Sequence, residues 1–426
     1  MLVKFTVGNY LSFKDRVSID FNATSLTEYR SNNIMSIPAS NINLLKSVIL
    51  FGANSSGKSN LFKAIKFVRR FIQGSSKDSQ ADEKINVEPF RLSTESLDKP
   101  SYFEIEFILD GKKYRYGFEV DDKIVLKEWL FSSGKTKEYL LFERGNKEIT
   151  IGSKFNKSSE NIIDITRNNA LFLSVCAQFN IEIAIEIIKE MGNLKYVSGT
   201  NDHSTIKFTV KLLNDPKYSK TINNFIKGAR LGFNEVETEK IEITSEMLSE
   251  SNIPKELHKI VLENNDDKVI ITTKHTVFDN NLEPSGSTFF DLMSNESLGT
   301  RKLFSLAGPI VDTIIHGRTL IIDEFDARLH PILAKAIIQL FNSSENKNAQ
   351  ILFASHNSHF INSSARLFRR DQVLITEKDF YGVTRIESLY DKKIRKDASF
   401  EKDYLSGKYD GVPIKLEINS QLDLFG

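Results

Sequence analysis

The spacing of hydrophobic positions changes along the chain, and each change predicts a different kind of element. Alternating apolar and polar residues over Leu2–Val7 and Val17–Phe21 predict two strands joined by the turn-rich Gly8–Arg16. The unbroken run Ser47–Phe51 predicts a buried strand, after which Leu61, Ile65, Val68 and Ile72 fall at helical spacing within Asn60–Ile72. Gly74–Asp82 is small, polar and aperiodic, as a connector is. From about Glu88 to Gly152 the period is two: Phe103, Ile105, Phe107 and Leu109 share one face, and so do Tyr114, Tyr116, Phe118 and Val120. Asp110-Gly111 between them favours a tight hairpin turn, which predicts an antiparallel meander continued by Ile124–Phe131 and Tyr139–Arg144.

Helical patterning is predicted around Asn168–Met191 and Tyr218–Ala229, and an acidic helix with a short strand, Lys268–Thr273, between about Lys240 and Asn281. The last third alternates helix and strand: helical Leu298–Ile315, strand Thr319–Ile322, helical Pro331–Phe341, then strands Gln350–Ala354 and Gln372–Thr376. Strands alternating with helices imply a parallel sheet with ligands at the strand ends. The first and last blocks are expected to share that sheet. No sustained heptads appear, so a long coiled coil is not expected.

Composition narrows the class without naming a reaction. The 426 residues carry 57 Lys+Arg against 56 Asp+Glu, which excludes a uniformly basic nucleic-acid coat. At 40% hydrophobic and 27% charged the chain is expected to be a soluble globular protein of two to three domains. A single cysteine, Cys176, cannot form an internal disulfide, which fits a reducing compartment, and the cytoplasm is the expected location. Neither a cleaved signal, a bilayer span nor a lipidation signal is expected.

The strongest chemical signal is Gly52-Ala53-Asn54-Ser55-Ser56-Gly57-Lys58-Ser59, with Asn60 following, which matches G-x-x-x-x-G-K-[ST] between a predicted strand and helix. Glycines at 52 and 57 let backbone N–H groups turn toward phosphate oxygens, Lys58 brings a point charge to the β- and γ-phosphates, and Ser59 can ligate Mg²⁺. Thr319–Ile322 then ends in Asp323-Glu324. Behind a phosphate loop this places Asp323 beside the metal and Glu324 where it can polarise a water. Ser297-Leu298-Gly299-Thr300 opens a helical segment before this pair, and His356 follows the next strand. Singly, these last two read as a helix cap and a structural histidine.

Their order resembles the ATP-binding cassette class, and within it the compact branch of SMC, RecF and OLD-type ATPases. The nearest likeness is to RloA/AbiLi-like ATPases of bacterial phage defence. It is carried by Asn9–Asp15, Phe51–Asn60, Asp323–Pro331 and Tyr404–Pro413. The resemblance implies an α/β P-loop NTPase of ABC-ATPase type with an antiparallel β lobe and a mostly helical insertion. Residues 1–80 and 286–390 would form the two parts of the core, 81–165 the β lobe, 166–285 the insertion, and 391–426 a tail able to dock a partner.

The same resemblance implies roles at matched positions. Gly52 to Asn60 would hold ATP, Ser59 and Asp323 would hold Mg²⁺, Glu324 would be the catalytic carboxylate, and His356 would sense the γ-phosphate. Ser297 and Gly299 would act on the nucleotide of a second protomer, in a homodimer or higher homo-oligomer with composite ATP sites. Asp326 would lie in the loop coupling those sites. Gln178 in Ala177-Gln178-Phe179 is the candidate metal-sensing glutamine, although a surface helix glutamine reads equally well. The signature, Glu296-Ser297-Leu298-Gly299-Thr300, departs from the full Leu-Ser-Gly-Gly form.

An intrinsic Toprim or HNH nuclease is not expected after His356, which makes a separate effector, a nuclease or toxin, the expected partner. The expected function is a nucleotide-driven switch in antiphage defence. The alternative is a RecF-like ATPase that clamps DNA, and DNA stays open as a partner. The basic cluster Lys392–Lys396 is interleaved with Asp391, Asp397, Glu401 and Asp403, the pattern of a solvated surface.

Overall fold

The computed structural model describes residues 1–78, 80, 82–134, 137–145, 148–241, 268–362, 365–396 and 398–409. Most of the predicted acidic helix, Asp397 and Asp410–Pro413 of the tail lie outside the described residues. The chain divides into two compact units. The first comprises the described residues of Met1–Gly199, Thr313–Ala327 and Ala334–Gly426, and the second those of Thr200–Asp312 and Arg328–Leu333. The chain therefore divides at Gly199 rather than at the predicted 166, and the second unit extends past 285 to take in the signature segment.

At the centre of the first unit is a six-stranded sheet in the order Leu194–Ser198, Thr319–Asp323, Gln350–Ala354, Ser47–Phe51, Val373–Lys378, Thr384–Ser388. All neighbours are parallel except the last pair, which is an antiparallel hairpin. The four central runs are nearly continuous in apolar residues, as strands covered on both faces must be. Val48, Ile49, Leu50 and Phe51 are wholly buried. The first and last thirds of the sequence thus share one sheet.

The predicted meander forms, but within a larger sheet. Seven antiparallel strands run in the order Glu148–Ile151, Glu138–Gly145, Val125–Ser133, Lys112–Val120, Ser101–Leu109, Leu2–Gly8, Val17–Asp20. The two N-terminal strands extend the lobe because Leu2–Gly8 pairs with Ser101–Leu109. Asp110 and Gly111 both take positive φ, 47° and 74°, the geometry of a tight hairpin between Ser101–Leu109 and Lys112–Val120. The helix Lys58–Gly74 buries Leu61, Ile65, Val68 and Ile72, the stripe its sequence spacing predicts.

The predicted helix over Asn168–Met191 is two helices, Phe172–Gln178 and Glu182–Gly192, parted where Asn180 adopts a φ of 62°. Glu128, wholly buried in the antiparallel sheet, accepts hydrogen bonds from Phe172 N (2.7 Å), Leu173 N (3.0 Å) and Tyr116 Oη (2.8 Å). It caps the first of those helices from a strand. Burial pushes its carboxyl above the usual range, while Arg144 and these bonds pull it down. Glu128→Ala leaves two amides, a phenol and the Arg144 guanidinium without this partner. We expect a loss of about 3–5 kcal/mol in urea unfolding; a loss under about 1 kcal/mol would refute the cap.

The second unit packs the helices His203–Leu213 and Pro216–Gly228 and the start of Leu298–His316 with a three-stranded antiparallel sheet, Glu235–Ile241, Lys268–Phe278 and Pro284–Asp291. Val210, Ile222, Ile226, Ile271, Phe304 and Ala307 form its core. Helix and sheet are both present, where the sequence predicts mostly helix.

Candidate functional site

Ser47–Phe51 delivers the chain into the loop Gly52–Gly57, which turns directly into the helix beginning at Lys58. The loop closes because Ser55 and Gly57 take positive φ, 64° and 110°. Both glycines are required by what faces them. A Cβ at Gly52 would lie 2.3 Å from the Thr376 carbonyl oxygen, and one at Gly57 would lie 2.2 Å from Thr384 Oγ1. The amides at the helix start are thereby left with an anion-binding geometry.

Lys58 is buried and donates to the carbonyls of Gly52 (2.7 Å) and Ala53 (2.8 Å), which fold its side chain back over the loop. Burial lowers its pKa to about 8, against the opposing pull of Asp323 and Glu324. The Ser59 hydroxyl bonds to the Asp323 carboxylate, whose own pKa burial raises. Glu324 is exposed and adopts a φ of 53°, an uncommon conformation for a non-glycine residue. Phe325 N donates to Ala354 O (3.0 Å), so the turn after the carboxylates is tied to the end of the next strand. Asp326 bonds to the Ser355 side chain, and burial pushes its carboxyl up. His356 is held below the ordinary histidine range by desolvation of part of its ring and then by Lys58.

The structure therefore gathers Gly52 to Asn60, Asp323, Glu324, Asp326 and His356 at the C-terminal edge of the parallel sheet. It does not bring Gln178 there. Gln178 ends its helix on the surface, and Ser174 one turn earlier bonds to Ile72 O (2.6 Å) and Ser75 Oγ (3.1 Å). Ile72 is fourteen residues beyond Lys58 on the long helix, about 21 Å away along its axis. The element that does reach the carboxylates is Leu194–Ser198, which pairs in register with the Asp323 strand so that Ser198 lies opposite Asp323. Gly199 N donates to Asp323 O (2.7 Å), and a Cβ at Gly199 would sit 2.0 Å from Glu324 O.

Three residues support the phosphate loop through contacts that the sequence reading did not give. Thr384 Oγ1 donates to Ser56 O (3.0 Å) and lies within hydrogen-bond distance of the Ser12 hydroxyl (2.8 Å), and Asn60 Nδ2 donates to Ser12 Oγ (2.8 Å). Ser12, Asn60 and Thr384 thus brace the phosphate loop from three distant parts of the sequence. Asn60 closes the predicted ATP-holding stretch and Ser12 lies within Asn9–Asp15, whereas Thr384 belongs to no stretch that the sequence singled out. Their signal is spatial, and no spacing announces it.

Within the second unit, Ser297 caps the helix Leu298–His316 by accepting from Thr300 N (3.1 Å). The preceding residue is fixed twice. Arg301 donates to Glu296 O through Nε (3.1 Å) and Nη2 (2.9 Å), while Glu296 Oε1 meets Thr273 Oγ1 (2.7 Å) and His275 Nε2 (2.9 Å). Ser297 and Leu298 are exposed on this braced turn.

The donors fit a nucleotide and Mg²⁺. Ser56 Oγ is buried in the loop without a hydrogen-bond partner, neither Gly52 nor Gly57 has room for a Cβ, and a serine hydroxyl beside one carboxylate is the oxygen-donor set Mg²⁺ takes when phosphates complete its shell. Among the described residues no group of three or more His, Cys, Asp or Glu could hold a metal by itself. Among them, too, no helix is long and apolar enough to cross a membrane.

The stretch from Tyr404 is anchored at two residues where it is described, with Leu405–Lys408 exposed between them. Tyr404 and Tyr409 are buried, and the Tyr404 ring lies 5.9 Å from that of Phe51 at the end of the phosphate-loop strand.

A parallel sheet with this strand order, joined to an antiparallel lobe and carrying a phosphate loop, defines an α/β P-loop fold of the ABC ATPase type. The chain belongs to the family described as "AAA domain, putative AbiEii toxin, Type IV TA system", matched over residues 47–362. Among solved structures, the SMC head domain from Thermotoga maritima is 16% identical with a TM-score of 0.41, covering 91% of this chain and 98% of that one. An SMC head with an extended coiled coil, bound to the C-terminal domain of ScpA and derived from Pyrococcus furiosus, is 14% identical with a TM-score of 0.37, covering 96% and 98%. At these scores the fold assignment rests on the strand order itself. No curated protein matches the chain.

Proposed function

We propose that this chain is an ATP-binding and ATP-hydrolysing switch of bacterial antiphage defence, of the RloA/AbiLi-like kind, which controls a separate effector. The reading is carried by one observation: buried Lys58 and the Ser59–Asp323 pair meet at one edge of the sheet, with Glu324 beside them. The family description, with its toxin–antitoxin wording, supports the defence setting.

Loop amides, Lys58 and Ser56 would hold the phosphates, and Ser59 and Asp323 would hold Mg²⁺, which would neutralise phosphate charge when bound. Glu324 accepts a proton from the attacking water as its oxygen bonds to the γ-phosphorus; the bond from that phosphorus to the β–γ bridging oxygen breaks, and phosphate and ADP leave. His356, whose pKa is lowered by desolvation and by Lys58, donates or accepts a hydrogen bond at the γ-phosphate. Ser297 and Gly299, on an exposed and braced turn, complete the site of a second copy in a homodimer. Hydrolysis then governs association, and association governs the effector in the cytoplasm.

The test is Mg²⁺-dependent ATP turnover by the purified chain, together with plaque formation on cells carrying the gene and its neighbours. Absence of turnover sinks the enzymatic half; turnover without protection sinks the defence half.

A pH dependence follows from Lys58. Its pKa of about 8 in the free protein means that it sheds its proton above that pH, whereas a bound phosphate requires the ammonium. Binding takes up a proton there, and affinity for ATP should fall by up to about tenfold per pH unit above pH 8. Calorimetric titration at pH 7.5 and 9.5 reads this; equal affinities would refute the charge role of Lys58.

A further inference from the structure

Among the described residues of the phosphate-loop unit, the most exposed large apolar side chains lie on the hairpin that braces that loop. Phe380 is 97% exposed and Tyr381 is 75% exposed at the tip joining Val373–Lys378 to Thr384–Ser388. Exposed aromatic rings gain nothing for folding and invite a ligand. Here the tip is rigid. Asp379 Oδ1 accepts from Tyr381 N (3.0 Å) and Val383 N (3.0 Å), Gly382 N donates to Asp379 O (3.0 Å), and the two rings meet edge to face with centroids 5.6 Å apart. Gly382, at a φ of 79°, lets the tip close against Leu92, itself 71% exposed.

Both strands of this hairpin touch the phosphate loop. Thr376 O faces Gly52, and Thr384 faces Gly57 while bonding to Ser56 O. The first strand runs parallel to Ser47–Phe51, so it leaves the sheet at the same edge. Lys378 and Thr384 are the last pair, and the tip lies two residues past them, about 7 Å further out. The tip therefore projects past the edge of the sheet at which the phosphate loop lies.

We infer that Phe380 and Tyr381 form a stacking platform for the purine base of the nucleotide whose phosphates lie on Gly52–Ser59. One ring takes the base face, and the other supports it from the edge. This rests on the ATP-binding reading above and adds to it a residue pair that selects the base. A protein partner is the weaker occupant on area: two aromatic side chains offer on the order of 300–500 Å², against the ~800 Å² per partner of a standard interface. A rigid tip also stacks a base with little ordering cost.

The test compares the full chain with Phe380→Ala and Tyr381→Ala, which are surface changes that leave the fold intact. ATP and inorganic tripolyphosphate are titrated with Mg²⁺ by calorimetry. Stacking removed by alanine is worth about 1–3 kcal/mol per base, so ATP should bind about 5- to 150-fold more weakly to at least one variant. Tripolyphosphate should bind all three proteins alike, and Tyr381→Trp should keep ATP affinity and lose fluorescence on adding ATP but not tripolyphosphate. Unchanged ATP affinity in both alanine variants overturns the inference while leaving the ATP-binding reading intact. Equal weakening for both ligands also overturns it, by assigning the tip to loop support. Loss of self-association or of effector binding with ATP affinity unchanged gives the pair to a protein interface instead. If the wild-type chain binds neither ligand, the nucleotide reading falls and the inference with it.

Discussion

Lys58→Ala should reduce ATP turnover by at least about a hundredfold, with most of the loss appearing already in binding. The ammonium is held under the loop by two carbonyls, at the start of the helix whose amides face the place of the phosphate oxygens. Removing one preorganised donor from such a site costs about 10²–10³ in rate. The same change relieves the cost of keeping a charge buried, so the protein should unfold at an unchanged or slightly higher denaturant concentration. Loss of activity with retained stability separates a phosphate ligand from a structural lysine. Wild-type turnover in this variant would remove the phosphate loop from the mechanism.

Glu324→Gln should behave differently, although its effect on turnover is as large. A general base contributes roughly 10²–10⁴ in rate, yet the amide is isosteric with the carboxylate and keeps the turn at φ 53° and the Phe325 tie to Ala354. ATP affinity should stay within about threefold of wild type, because one negative charge beside the phosphates is also lost. The variant should therefore collect in its ATP-bound form. If the exposed turn at Ser297 completes the site of a second copy, light scattering with ATP and Mg²⁺ should show a persistent dimer that wild type forms only transiently. A Glu324→Gln protein that hydrolyses normally identifies another base. One that is inactive but stays monomeric with ATP refutes the composite site while leaving the catalytic role of Glu324 standing.

Much of this site was legible because its signals are local. Gly52–Ser59 and Asp323-Glu324 each lie within eight residues, and the stripe Leu61, Ile65, Val68 and Ile72 marks the helix that carries Lys58 at its start. What was not legible depends on register between strands far apart in sequence. Gly199 matters because Ser198 pairs with Asp323, and Thr384 matters because its strand is placed beside the loop by Val373–Lys378. No residue spacing encodes either. The glutamine at 178 misled for a related reason: helical periodicity gives the buried face of Phe172–Gln178 but not which end of the long helix it meets. The single helix expected over Asn168–Met191 failed at Asn180, where a left-handed residue breaks a pattern whose hydrophobic spacing barely changes.

The strand order also sets a schedule for synthesis. Ser47–Phe51 lies between Gln350–Ala354 and Val373–Lys378, so the strand feeding the phosphate loop has no partner on either side until residues some three hundred positions later are made. At elongation rates of about 5–20 residues per second, that interval is on the order of tens of seconds. During it the ribosome-bound chain carries an intact Gly52–Ser59 motif and no bed for it. Nucleotide retention on stalled nascent chains should accordingly be absent when the chain ends before Gln350 and appear only after Lys378 has left the exit tunnel, which keeps an unfinished copy from entering the ATP cycle.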